Sequence, residues 1–217
     1  MTHRVHPFSH RLGILRDWKS RWFSPKGKYQ EALRGDVLVR EYLEKKLRNF
    51  YVADLEIERS AKAIRIIIST SRPGLIIGRE GNGAEALKSE IKALLTKHKL
   101  LENKVAVMLD IKEVKNAEAN AAIVAQMVVE SLEKRMPFRR VMKQTIEKVM
   151  ANRDVQGIKL VLSGMIGGGM ARTETMKKGR VPLQTLRADV GYHRATAGLP
   201  LGTVGVKVWI YKGEIFK

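Results

Sequence analysis

The chain has 217 residues, 44% of them hydrophobic, no cysteine, and 41 Lys and Arg against 22 Asp and Glu, a formal net charge of +19. That length suits one large domain or two modest ones, at about 150 residues each, and the apolar content excludes a disordered tail. Disulfides and Cys-based zinc sites are excluded, and with no run approaching ~18 apolar residues and no leader pattern, neither membrane insertion nor secretion is expected.

In chain order, residues 1–30 hold seven basic residues and one acidic residue among Pro, Ser and aromatics, with little periodicity. They read as an extended basic arm that orders only on a partner. Arg4, Arg11 and Arg16 are its candidate RNA contacts. Trp18, Trp22 and Phe23 interleave with Arg16, Lys19 and Arg21, a pattern suited equally to stacking on bases and to anchoring on a neighbouring domain. His3, His6 and His10 lie close together, but no carboxylate precedes Asp17 and arginines surround them, so no metal site is expected.

Residues 31–115 predict one domain. A helix runs from about Asp36, a plausible N-cap, to Phe50, with Val39, Leu43 and Leu47 on one face. Two strands follow, marked by Leu55 and Ile57 and then by Ile64, Ile66 and Ile68. Next comes Arg72-Pro73-Gly74-Leu75-Ile76-Ile77-Gly78-Arg79-Glu80-Gly81, a short apolar run leading into Gly-x-x-Gly. Asn82-x-x-Glu85 resembles a capping box for a helix carrying Leu87, Ile91 and Leu95. Val105, Val107, Leu109 and Ile111 alternate as a third strand. The order α-β-β-α-α-β resembles a type II KH domain, in which the Gly-x-x-Gly loop clamps about four nucleotides of RNA backbone. Gly78, Arg79 and Gly81 are the loop's candidate contacts. Glu80 weakens phosphate attraction there, so the basic flanks are expected to contribute more.

The middle of the chain is nearly neutral, with 17 basic and 15 acidic residues over 31–130, whereas 131–217 holds 17 basic and six acidic. A polyanion is the expected partner for such flanks, and no basic amphipathic helix with an aromatic face suggests a membrane instead. A second α+β domain, 116–217, is predicted from two helices, one to about Arg135 and one opened by Pro137. About three strands follow, at Ile158–Leu162, Leu186–Tyr192 and Val204–Ile210. Arg139, Arg140 and Lys143 share one side of the second helix; with Lys134 and Arg135 they form the densest basic cluster, read as an RNA contact in preference to a solvated face. The loop Gly167-Gly168-Gly169 continuing through Arg172, Lys177, Lys178 and Arg180 is a further backbone-binding candidate. It lacks the Gly-Lys-Ser/Thr of a phosphate-binding P-loop, and no carboxylate pair or Ser/His or Cys/His set stands out, so no enzyme and no cofactor is expected.

Val5-His6-Pro7, Arg11-Leu12-Gly13, Trp22-Phe23, the Gly78-x-x-Gly81 segment, Phe138-Arg139-Arg140, Ala171-Arg172-Thr173-Glu174, Gly179-Arg180-Val181-Pro182-Leu183 and Gly205-Val206-Lys207-Val208-Trp209-Ile210 together resemble the bacterial S-three family of the small ribosomal subunit, in the family's order along almost the whole chain. The resemblance implies a structural component of the subunit head that binds small-subunit rRNA beside the channel admitting mRNA, with ribosomal proteins ten and fourteen as neighbours. It assigns Arg135, Arg139, Arg140 and Lys143 to the helix that lines this channel and supports mRNA unwinding. A free KH-type regulator of mRNA and a DNA-repair-type lyase are the alternatives; the lyase finds no lysine in an obviously apolar pocket.

Overall fold

The computed structural model describes residues 5–60, 62–98, 100, 105–200 and 202–216, and the chain divides into two units: Trp18–Lys115, and residues up to Asp17 together with those from Asn116 onward. The expected free arm is therefore not a separate element. Its first part, with helix α1 (Pro7–His10), belongs to the C-terminal unit, and its remainder opens the middle unit. The physical cause is Arg11, described below.

The middle unit begins with a two-residue strand β1 (Ser20–Arg21), followed by helix α2 (Lys26–Lys46), β2 (Val52–Arg59), β3 (Ala63–Thr70), a short helix α3 (Pro73–Ile77), helix α4 (Asn82–Lys97) and β4 (Ala106–Glu113). The sheet order is β1-β2-β3-β4, with β2 and β3 antiparallel and β3 and β4 parallel. This is the α-β-β-α-α-β arrangement expected of a KH domain. Val39 and Leu43 of α2, its C-cap Leu47, and Leu87, Ile91 and Leu95 of α4 bury against Ile57, Ile64, Ile66 and Ile68.

Two expected helix starts are corrected. α2 begins ten residues before Asp36, which lies inside it and is buried. The Asp36 carboxylate does not cap the helix: it accepts Nε1–H of Trp22 at 2.7 Å and Nε–H of Arg59 at 2.5 Å. Asn82 is already helical, and the N-cap of α4 is Gly81, which has no side chain with which to close a capping box.

In the C-terminal unit, a single turn at Ala117–Ala119 precedes α5 (Ala121–Glu133), whose N-cap Asn120 accepts the Ala122 N–H at 2.9 Å. Then come α6 (Phe138–Met150), β5 (Gly157–Gly164), β6 (Arg172–Gly179), β7 (Ala188–Leu199) and β8 (Gly202–Glu214). The four strands form an antiparallel sheet of order β6-β5-β8-β7. The sheet thus has one strand more than expected: Arg172–Gly179, read as loop, pairs with β5 along its whole length. Leu186 lies outside β7, which starts at Ala188. Ile158, Leu160, Leu162, Val204, Val206, Val208 and Ile210 face α5 and α6 and form the main core.

Candidate nucleic-acid interface

Helix α6 buries Val141, Met142, Ile146 and Val149 against the sheet, and this spacing forces Arg139, Arg140 and Lys143 onto the solvent side. All three cations lie within the first two turns, and the first turn holds no acid. Cations at that end oppose the helix dipole, and like charges three and four residues apart repel. Each effect costs a few tenths of a kcal/mol, and a phosphate would offset both. Arg139 lies 5.7 Å from the ring centroid of Phe138, which orients its guanidinium. Arg135, exposed in the turn before α6, sits in the left-handed region at φ 60°. Lys134 is paired with Glu130 at 2.6 Å and is less available.

β6 packs beside α6, and between them runs a groove of about 450 Å³ lined by Lys143, Ile146 and Glu147 of the helix and by Thr175, Met176, Lys177 and Lys178 of the strand. The register sets Arg172, Met176 and Lys178 opposite Gly164, Leu160 and Ile158, on the sheet face that carries the helices. Lys177 lies opposite Lys159 and so points to the other face. Arg180 follows the strand and is exposed. The helix cluster and part of the Gly- and Lys-rich segment, far apart in sequence, are therefore brought together; Lys177 also lines the groove at the sheet edge, although the register sets its side chain toward the other face.

None of Arg135, Arg139, Arg140, Lys143, Arg172, Lys177, Lys178 and Arg180 makes an ion pair among the described residues. Several cations of the middle unit are paired instead. Arg21 bridges Glu56 and Glu58 at 2.6 Å each, Arg65 meets Asp110 at 2.5 Å, Lys19 meets Asp54 at 2.8 Å, and Lys46 pairs with Glu90. The hydrogen bonds that Arg21 donates to Glu58 and Glu56 raise its pKa above the ordinary value. Exposed cations with no ion pair are open to an anionic partner.

In the Gly-x-x-Gly loop, Gly78 and Gly81 take φ of +72° and +83°, and Glu80 between them also has positive φ, at 56°. A Cβ at Gly81 would meet nothing within 4 Å, so that glycine leaves open space in front of the first turn of α4. Gly83, which the motif does not include, is packed tightly instead: a Cβ there would lie 2.6 Å from the Ile76 carbonyl oxygen. Arg79 and Glu80 are both exposed, beside a lip formed by the exposed Leu75 and Ile77. The loop is thus sterically open, with one cation and one anion at its tip.

The arm residues need correction as RNA contacts. Arg11 is fully buried. Its Nε donates to the Ala188 carbonyl at 2.6 Å, Nη1 to Pro7 at 3.0 Å, and Nη2 to Leu183 at 3.1 Å and Thr185 at 2.9 Å. Burial lowers its pKa, opposed by the nearby Asp189 carboxylate. Arg16 pairs with Asp189 at 2.5 Å. Both side chains are committed to protein, because five donors in a fixed fork suit a cluster of loop carbonyls as well as they suit phosphate. Arg4 lies outside the described residues. His6 caps α1, its Nδ1 accepting the Phe8 N–H at 3.2 Å, and no group of three potential metal ligands occurs among the described residues. No helix among them is long and apolar enough to cross a membrane.

Residues 38–119 match the KH domain family, and residues 128–210 match the family described as ribosomal protein S3, C-terminal domain. The small ribosomal subunit protein uS3 of Caldicellulosiruptor bescii is 45% identical over 216 residues, covering 99% of this chain and 94% of that protein. Those of Endomicrobium trichonymphae and Clostridium tetani are 44% and 41% identical, covering 100% and 99% of this chain and 90% and 94% of those proteins. With a KH domain, a matching C-terminal domain and relatives of this similarity over nearly its full length, the chain belongs to the uS3 family of small ribosomal subunit proteins.

Proposed function

We propose that this chain is a non-catalytic component of the small ribosomal subunit that binds rRNA and presents the α6 cluster to mRNA where it enters the subunit. The observation that carries the reading is the stripe of Arg139, Arg140 and Lys143, unpaired and at the unfavoured end of its helix. Arg135 and the α6–β6 groove extend that stripe. No nucleotide-hydrolysis motif accompanies it, so unwinding of structured mRNA would be driven by the ribosome's own movement, with the cations holding separated strands by their phosphates. The Gly78–Gly81 loop supplies an open backbone contact, with Arg79 its single cation. rRNA, mRNA and the neighbouring ribosomal proteins ten and fourteen are the partners of this reading.

Sedimentation of the tagged protein in cell extract, in magnesium and moderate salt, tests the assignment. Stoichiometric presence in the small-subunit peak supports it. Retention in light fractions while RNA-bound would favour a free regulator. For the mechanism, Arg139→Ala with Arg140→Ala is expected to leave assembly intact and slow translation through hairpin-bearing messages; unchanged speed on those messages removes the unwinding role.

A further inference from the structure

The face of the C-terminal sheet turned away from α5 and α6 is only partly covered. Its Val190–Trp209–Tyr211 end lies under Val181 and Leu183, and the His6 ring meets Tyr192 edge-on at 4.7 Å. Beyond that end the register aligns Lys177 with Lys159, and Lys207 with Arg194, each pair directly opposite on adjacent strands and on this same face. Like charges so placed destabilise a sheet, yet the fold carries two such pairs. No carboxylate alternates onto this face along Thr173–Lys177, Lys159–Ser163, Gly205–Trp209 or Tyr192–Thr196. None of the four cations is ion-paired among the described residues, and Lys159 is held 5.2 Å from the Trp209 ring centroid.

We propose that this sheet face is a second RNA-binding surface, gripping the phosphates of one strand through Lys159, Lys177, Arg194 and Lys207 independently of α6. A protein partner would call for an apolar centre depleted of lysine. Here Lys159 and Lys207 stand at the centre beside Val161 and the buried Trp209, with the hydroxyl-bearing Thr175 and Ser163 next to them, a set suited to phosphate and sugar contacts. The register explains the spacing: neighbouring strands ~4.8 Å apart spread the four charges as a band across the sheet. The proposal rests on the reading that the chain binds RNA, and its test separates the two.

The test titrates the full-length protein against a labelled, mixed-sequence single-stranded RNA over a range of salt concentrations. It compares wild type with Arg194→Gln/Lys207→Gln, with Arg139→Gln/Arg140→Gln and with Lys207→Glu. Loss of two phosphate contacts is expected to flatten the log–log salt slope by about 1.4, at ~0.7 per contact on single-stranded RNA. Lys207→Glu turns a like-charge pair into an opposite-charge pair, so it is expected to raise the melting temperature while weakening RNA binding, which separates a binding loss from misfolding. An unchanged slope in the sheet variants, with a reduced slope in the α6 variant, overturns this proposal and leaves the function above intact. A reduced slope in the sheet variants upholds it whatever the α6 variant does. If wild type itself binds no RNA, both readings fall and an acidic protein becomes the partner of this face.

Discussion

The guanidinium of Arg11 donates from Nε to the main-chain carbonyl of Ala188 at 2.6 Å, joining positions 177 residues apart with the side chain fully buried. The same fork satisfies the carbonyls of Leu183 and Thr185, in a segment with no regular structure of its own. Arg11→Met, of similar length but without donors, would leave those oxygens unpaired in a buried site. At about 1–3 kcal/mol for each unsatisfied group, relieved in part by not burying a charge, the expected loss is about 3 kcal/mol, measured by urea denaturation. A change below ~0.5 kcal/mol would mean that the arm does not contribute to stability.

Asp36 is the corresponding buried group of the middle unit, holding Trp22 and Arg59 across helix and sheet. Asp36→Asn keeps the shape but removes the charge opposite a largely buried guanidinium, whose Nη2 has no hydrogen-bond partner among the described residues. The expected cost is about 2–4 kcal/mol, with a shift in Trp22 fluorescence because its indole loses a charge-assisted acceptor.

The two glycines flanking Asn82 are expected to differ in kind. Gly83→Ala drives a Cβ to 2.6 Å from a backbone oxygen, so α3 and α4 must part, at a cost above ~2 kcal/mol. Gly81→Ala meets no atom and costs only the left-handed strain, about 1 kcal/mol. Hydrogen exchange of the first turns of α4 checks the pair: Gly83→Ala should expose them and Gly81→Ala should leave them largely protected.

Much of the fold was legible because its buried positions repeat with helical or strand period. Ile64, Ile66 and Ile68 of β3, and Val204 to Ile210 of β8, could be read from alternation alone. β6 could not: as an edge strand it exposes most of its side chains, and Met176 is its single apolar residue packed on the core. The first half of α2 escaped for a related reason, since Tyr29, Leu33 and Val37 are at least 44% exposed and their periodicity follows no core. In the candidate site, α6 was legible from charge spacing. Nothing in the sequence separated Arg11 and Arg16 from the exposed candidate cations, because a basic residue that serves protein acceptors and one left open to phosphate look alike until the fold closes. Gly83 was missed because the motif draws the eye to Gly78 and Gly81, while the tight packing falls two residues later.

Glu90 supplies a pH signature. The Lys46 ammonium first, and then the Tyr42 hydroxyl at 2.6 Å, hold its carboxyl below the ordinary 4.5. A group with a depressed folded-state pKa stabilises the fold at pH values above its ordinary one, and loses that contribution as pH falls through the folded value. Because its side chain is 42% exposed, the effect is small, at most about 0.5 kcal/mol. Glu90→Gln is therefore expected to be slightly less stable than wild type at neutral pH and equal to it in strong acid, as read from urea midpoints. A difference that persists in acid would assign the effect to packing.

The discontinuity of the C-terminal unit has a consequence for synthesis. The helix that carries His6 and Arg11 on its flanks leaves the peptidyl-transferase centre 177 residues before the carbonyl it must engage. At ~5–20 residues per second, the nascent segment waits on the order of 10 to 35 s, while the intervening KH unit, Trp18–Lys115, can fold vectorially. Closure of the second unit then recaptures a segment made long before its partner, and until then the cations of that segment are available to the anionic polymers around it. The final fold removes Arg11 from that exposure, so maturation itself withdraws one basic residue from non-specific RNA contact.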